Sequence, residues 1–478
     1  MTDDLAFTPA SELAARIRAR DLSPVELVEH TLDRIATLQP VLNCFITVCA
    51  DQALDAARRA EAAVRRGDAL GPLHGVPFSV KDLVNTEGVR TTFGSHVFED
   101  NVPAADAVSV ARLKAAGAIL VGKTTTPEFG HKPFTDAPLF GRTRNAWDAG
   151  RTSGGSSGGA AVAVACGLGP LAVATDGGGS TRIPAACNGV VGFKQTLGLV
   201  PHDQTPDGFG NQAFITPTTR TVMDTALMLA AMAGPDRSDP HSIGLATQDY
   251  VAAARPVGDL KGVRIAWRPL LGNQVIDREV LALCEAAVAR LAALGATVEP
   301  VEDDFGNTEP TWLVLTHSFW HGRFASYLAQ HGNRMTPSLV RQIENGARYS
   351  AADLQQAIFA RTAIYRQIQS WFDGYDLLVT PTLTRTALPI DGDLFAPIEI
   401  EGKTVDTARK AWYPYTHPFN LSGNPAVTLP CGFARDGLPV GFQIIGRLAE
   451  DDRVLRAAAL FEAAQPWAQH RPALSDHR

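Results

Sequence analysis

Short apolar runs alternate along the chain with longer stretches in which apolar positions recur at helical spacing. The runs at 76–80, 118–121, 171–175, 263–267, 297–301 and 377–380 read as buried strands. The stretches 51–66, 108–116, 221–233, 278–294, 311–331, 351–372 and 453–464 read as helices. Ser23-Pro24-Val25-Glu26 combines a serine N-cap, a first-turn proline and a closing glutamate, and Leu27, Val28, Leu32 and Ile35 then share one helical face. Ser350 is the matching start signal for 351–372. Residues 426–429 and 440–445 flank Asp436-Gly437, a hairpin signal. Segments 67–75 and 235–240 read as loops, the second a candidate boundary, and 382–410 as a loop-rich rim. This rhythm predicts an α/β fold: a single large domain whose mixed central β-sheet is covered on both faces by α-helices. Residues 1–70 are expected to form a helical segment packing on a core built from 71–478.

Composition narrows the function without naming it. The 478 residues are 45% hydrophobic, enough for a substantial core. A formal charge of −7 with no long basic run gives no reason to expect nucleic acid or an anionic membrane as partner. The opening MTDDLAFTPA carries acids where a secretory signal carries bases, and no apolar stretch is long enough to span a bilayer. Cys44, Cys49, Cys166, Cys187, Cys284 and Cys431 are scattered, without metal or disulfide spacing. A cytoplasmic protein is the expectation.

The stretch 152–182, TSGGSSGGAAVAVACGLGPLAVATDGGGSTR, holds two glycine-flanked serine sites. At the first, Gly-x-Ser-x-Gly occurs twice, centred on Ser156 and Ser157. An α/β-hydrolase elbow would need a strand before it, and the preceding residues are polar. Ser180 has the better context, because an apolar strand runs into its three glycines. Such a turn presents backbone N–H groups beside a hydroxyl, the requirement of acyl transfer through a serine and an oxyanion hole.

The base is open on these grounds. His74, His96, His131, His202 and His417 are all available, and so are Lys81 and Lys123, each at the end of an apolar strand. Deprotonating an unperturbed lysine near pH 7 costs about 4–5 kcal/mol, so burial or a nearby cation has to lower its pKa. His317 and His321 stand four apart but lack the glutamate of a zinc-protease helix, and read as helix surface. A formal phosphate-loop match ending at Gly122-Lys123-Thr124 has a strand where the loop belongs, and Gly177-Gly178-Gly179 lacks dinucleotide spacing. No cofactor and no metal are expected.

Lys81, Gly154-Gly155-Ser156-Ser157-Gly158-Gly159 and Asp176-Gly177-Gly178-Gly179-Ser180 together resemble the amidase signature family. So do LHGVPFSVKD and PFNLSGNPAVTLPCGF, and the likeness covers nearly the whole chain. It implies that 71–478 is the catalytic domain and that the activity is serine-based hydrolysis of a carbon–nitrogen amide bond. Aryl or aliphatic amides are implied, with carbamates, urethanes and esters as neighbouring substrates. Ser180 would be the nucleophile, Ser156 a bridging serine after a cis peptide bond, and Lys81 the base. Backbone N–H groups of Gly177, Gly178, Gly179 and Ser180 would form the oxyanion hole, with Ser157, Asp176 and Arg182 in support. The family commonly carries threonine at Gly177 and proline at Gln195, and the glycine is expected to loosen the turn. The expected substrate rim is 128–134 with parts of 312–348 and 382–415, including Glu128, Phe129, Gly130, Phe134, Trp320, Trp412 and Tyr415. The partner is a small-molecule amide, ester or carbamate, with a homodimer left open. The alternatives are the glutamine-hydrolysing chain of a tRNA amidotransferase, whose arginine-bearing helical segment residues 317–361 do not resemble, and a non-catalytic scaffold protein.

Overall fold

Alternate residues of one central strand enter two different cores. Leu171 and Val173 join a cluster with the helices Ala10–Arg18, Val222–Met232, Arg278–Ala293 and Asp451–Ala464. Ala172 and Ala174 face a second cluster formed by Pro24–Leu42, Ala50–Arg66 and Gly158–Ala165. A strand buried on both faces reads as a continuous apolar run, which explains the pattern of Leu171–Asp176. The small residues at 160–165 let that helix lie close on the sheet.

The computed structural model describes residues 2–273, 275–302 and 305–473. An 11-stranded mixed sheet organises them as a single domain. Across the sheet the strands run Phe45–Val48, Ile119–Thr124, Pro77–Lys81, Leu171–Asp176, Phe214–Thr219, Val191–Lys194, Ala426–Phe433, Pro439–Gly446, Leu377–Pro381, Arg264–Trp267 and Thr297–Pro300. Pro77–Lys81 lies parallel to both Ile119–Thr124 and Leu171–Asp176, and the three at the far edge are also parallel to one another. The other pairings are antiparallel. Strands flank residues 235–240 on both sides and belong to this one sheet, so the loop is no domain boundary.

Three strands escape the periodicity. Phe214–Thr219 carries Pro217 in mid-strand opposite Val173, a residue that ordinarily argues against a central strand. Val191–Lys194 and Phe45–Val48 are four-residue pieces. The last lies in the segment expected to be helical and gives the sheet its edge. The rim at 382–410 also contains a hairpin, Pro397–Ile400 with Lys403–Thr407. Among the described residues no helix is long and apolar enough to cross a membrane.

Candidate active site

Because Pro77–Lys81 and Leu171–Asp176 are parallel neighbours, their carboxyl ends emerge side by side. Lys81 ends one and Thr175-Asp176 ends the other. Open sheets place their ligand sites at such ends. Lys81 is fully buried, and its Nζ is hydrogen bonded to Ser156 Oγ (2.7 Å), Ser157 Oγ (2.8 Å) and Thr175 Oγ1 (2.8 Å). No carboxylate is among these three partners. Burial therefore holds the Lys81 pKa well below its usual range, against a weaker opposing pull from Asp176. A neutral amine has two N–H donors and one lone pair. Ser157 donates its hydroxyl to the Thr175 carbonyl (3.1 Å), so its oxygen accepts from Lys81. The proton that the lone pair takes then comes from Ser156 or Thr175. Thr175 carries no glycine or motif signal in the sequence. Only the strand pairing reveals it.

The Gly155–Ser156 peptide is cis. The Ser157 N–H donates to the Ser180 carbonyl (3.0 Å), which ties the two serine sites together. No hydrogen bond joins the Ser156 and Ser180 hydroxyls among the described residues. Both serines line one cavity.

Asp176 shapes the turn that carries Ser180. It forms a fully buried ion pair with Arg182 (3.0 Å) and accepts the N–H groups of Gly179 (2.7 Å) and Thr181 (3.1 Å). Asn420 adds a further bond to the same carboxylate (2.9 Å), and its own side-chain oxygen accepts from Arg182 (2.6 Å). Burial alone would raise the Asp176 pKa. The charge and hydrogen bonds of Arg182, with the bond from Asn420, outweigh it and hold the carboxyl below its usual range. The Gly179 N–H is thus spent on Asp176 and drops out of the expected oxyanion donors, leaving those of Gly177, Gly178 and Ser180.

The three glycines differ in what they tolerate. Gly179 has φ +124°, and a Cβ there would lie 2.3 Å from Thr416 Oγ1. A Cβ on Gly178 would lie 2.8 Å from the Trp312 ring, whereas one on Gly177 would meet only Ala213 at 3.8 Å. The threonine seen in relatives at 177 is therefore compatible with this backbone. Gly178→Ala and Gly179→Ala are each expected to cut kcat on an anilide about 10²-fold, Gly177→Ala far less. Equal effects at all three would contradict this ranking. Gln195, the other departure, donates its side-chain amide to the Ile215 carbonyl (2.8 Å) and makes no hydrogen bond to Lys81 or the serines.

Other bases are committed elsewhere. Lys123 donates to the Val84 carbonyl and to Thr86 Oγ1 (2.8 Å), with its pKa pushed down to about 8 by burial. His131 bridges the Glu128 carbonyl and Ser338 (2.7 and 2.8 Å), His74 meets the Ala60 carbonyl (3.0 Å), and His96 pairs with Glu99 (2.7 Å). Burial pushes His202 down to about 4 and His417 to about 3. His317, expected on a helix surface, is instead buried beside Arg409 (3.5 Å).

The shared cavity is large, about 1110 Å³. Phe129, Gly130 and Trp320 line it as expected, with Phe129 stacked on Phe324 at 4.1 Å between ring centres. Four expected rim residues do not line it. Glu128 is fully buried and accepts from Ser95 Oγ (2.5 Å) and the Thr336 N–H (2.6 Å). Phe134 packs against Trp412 (6.0 Å), whose indole N–H donates to the Arg385 carbonyl (3.1 Å). Tyr415 donates to the Pro269 carbonyl (2.8 Å). Each has its polar atoms matched inside the core, as buried polar groups must. A wall of the cavity comes instead from residues 202–213 and the Ala351–Trp371 helix, including Phe209, Leu354, Ile358 and Tyr365. Nothing in the sequence marks that wall, since it is assembled from distant segments.

Comparison with known proteins agrees with this geometry. Residues 26–455 match the family model described as Amidase. The chain is 41% identical to an acylamidase of Rhodococcus erythropolis over 98% of both chains. It is 37% identical to the amidotransferase chain that forms the first subunit of the glutamyl-tRNA(Gln) enzyme of Acidothermus cellulolyticus, covering 96% of this chain and 95% of that one. Among solved structures it superposes on a bacterial aryl acylamidase of the amidase signature enzymes with a TM-score of 0.91, at 31% identity and 99% coverage of both. It superposes on 6-aminohexanoate cyclic dimer hydrolase in complex with its substrate with a TM-score of 0.87, at 29% identity, over 98% of this chain and 100% of the other. The chain belongs to the amidase family.

Proposed function

We propose that this amidase hydrolyses amides unaided, with Ser180 as nucleophile, Ser156 as proton relay and Lys81 as base. The carrying observation is a fully buried lysine with no carboxylate among its hydrogen-bond partners, bonded to Ser156 on the wall of the cavity that Ser180 lines. As Ser180 Oγ attacks the scissile carbonyl, its proton passes to Ser156, whose own proton passes to Lys81. The oxyanion is held by backbone N–H groups of the 177–180 turn. The proton then returns to the amine as the C–N bond breaks, and water attacks the acyl-serine by the same relay in reverse. Catalytic hydrogen bonds commonly close only in the substrate complex, which accommodates the open Ser156–Ser180 step.

Aryl and aliphatic amides are the substrate class, with carbamates and esters next. Support comes from the names of the acylamidase relatives and from the aromatic wall at Phe129, Phe324 and Trp320. Six unpaired, buried cysteines suit a reducing, cytoplasmic setting. The amidotransferase relatives support a second reading, glutamine hydrolysis with a partner chain. Against it, Arg361 on the cavity wall is spent on the carbonyls of Leu421, Gly210 and Asn211 rather than offered to a substrate carboxylate. The purified chain is expected to release nitroaniline from a nitroanilide, and a fluorophosphonate is expected to label Ser180. A folded chain inert alone but releasing ammonia from glutamine with a second protein would reverse the choice.

A further inference from the structure

Two side chains that the mechanism does not use hold the Ser180 turn from outside. Trp312, in the first turn of the Glu309–His331 helix, donates its indole N–H to the Gly177 carbonyl (2.9 Å). The Thr416 hydroxyl donates to the Gly178 carbonyl (2.7 Å). These peptides are trans, so each carbonyl and the N–H it shares a peptide with point in opposite directions. Holding the Gly177 carbonyl therefore fixes where the Gly178 N–H points. Holding the Gly178 carbonyl keeps the Gly179 N–H on Asp176. The Gly179 carbonyl accepts from the Ile183 N–H (2.7 Å), which sets the Ser180 N–H in the same way.

We propose that Trp312 and Thr416 are positioning residues that aim the oxyanion-hole N–H groups, an inference that rests on Ser180 being the nucleophile. Both are buried, and Trp312 is braced in turn. Its ring lies against Gly178 on one side, and the Arg409 guanidinium stands 5.1 Å from its centre. Arg409 is itself held by Gln342 (2.6 Å) and Tyr413 (3.3 Å). The helix that begins with Trp312 also presents Leu315, Phe319, Trp320 and Phe324 to the cavity. A substrate seated on that wall bears on the element that holds the turn, so contacts remote from the scissile bond are expressed in kcat as well as KM.

The test uses a chromogenic anilide together with an aryl trifluoromethyl ketone. The Ser180 oxygen adds to the ketone carbonyl, its proton passes to Lys81 through Ser156, and the adduct carries the oxyanion. Trp312→Phe keeps a ring but loses the donor, Thr416→Val keeps the shape but loses the hydroxyl, and Thr416→Ser keeps the hydroxyl. Trp312→Phe and Thr416→Val are expected to lower kcat about 10-fold or more, with KM within about 2-fold and ketone affinity falling in parallel. Thr416→Ser is expected to stay within about 3-fold of wild type on both readouts. Unchanged kcat and ketone affinity in both variants, or losses confined to KM, would overturn the proposal. A wild-type enzyme indifferent to the ketone, or turnover surviving in Ser180→Ala, would bring down the nucleophile assignment and this inference with it.

Discussion

Lys81→Met is expected to lower kcat on an anilide by about 10⁴-fold while the protein remains folded, at the upper end of what a general base contributes. Methionine fills much of the same volume without an amine, so the loss reads proton transfer rather than packing. The pH profile supplies an independent check. Only the neutral amine accepts a proton, and burial holds the Lys81 pKa well below 10.5. In the wild type kcat/KM should therefore rise with pH and reach its plateau well below 10.5, and the residual activity of the variant should lack that limb. A limb at the unperturbed lysine value would mean that Lys81 rests charged, and the relay would fail. Stability follows the same titration. The unfolded chain keeps this proton up to about 10.5 and the native chain does not, so burying Lys81 costs stability at neutral pH. That cost fades as pH rises toward 10.5.

Arg182→Met is expected to cost about 3–5 kcal/mol of stability, because it leaves the Asp176 carboxylate buried without its cation. Both partners are fully buried, and Asn420 alone cannot replace a guanidinium that meets both carboxylate oxygens (3.0 Å each). Arg182→Lys should rescue little, since an ammonium cannot reproduce that planar fork. The readout is the apparent Tm, or the half-life at fixed temperature if unfolding is irreversible. Activity should fall further than stability alone explains, since Asp176 also fixes the Gly179 and Thr181 N–H groups. The folded Asp176 pKa is depressed, so its contribution is complete above the unfolded value of about 3.8 and is lost as pH falls through the folded value below it. A variant as stable as wild type at neutral pH would show that the pair does not anchor the turn.

Much of the architecture was legible wherever one segment decides its own fate. The helix at 278–293 and the strand into Lys81 announce themselves by period and length, and Ser350 forms its cap with Asp353 as a local matter. Phe214–Thr219 was not legible, because Pro217 is tolerated there only by its particular neighbours. The aromatic rim misled for a related reason. Trp412, Tyr415 and Phe134 look alike on paper whether they face a substrate or a core, and only their partners tell which.

The order of residues by itself determined the α/β class, the turn that presents Ser180 and the small set of groups able to do acyl transfer there. These depend on propensity, period and glycine geometry within a few residues. Tertiary structure alone decided that Lys81 rather than Lys123 meets the serines, that Gly179 serves Asp176, and that Trp312 and Thr416 hold the turn. Those outcomes, the Gly179 bond apart, join positions 75 to 238 apart, where hydrogen-bond reach depends on which strand ends and helices the fold sets side by side.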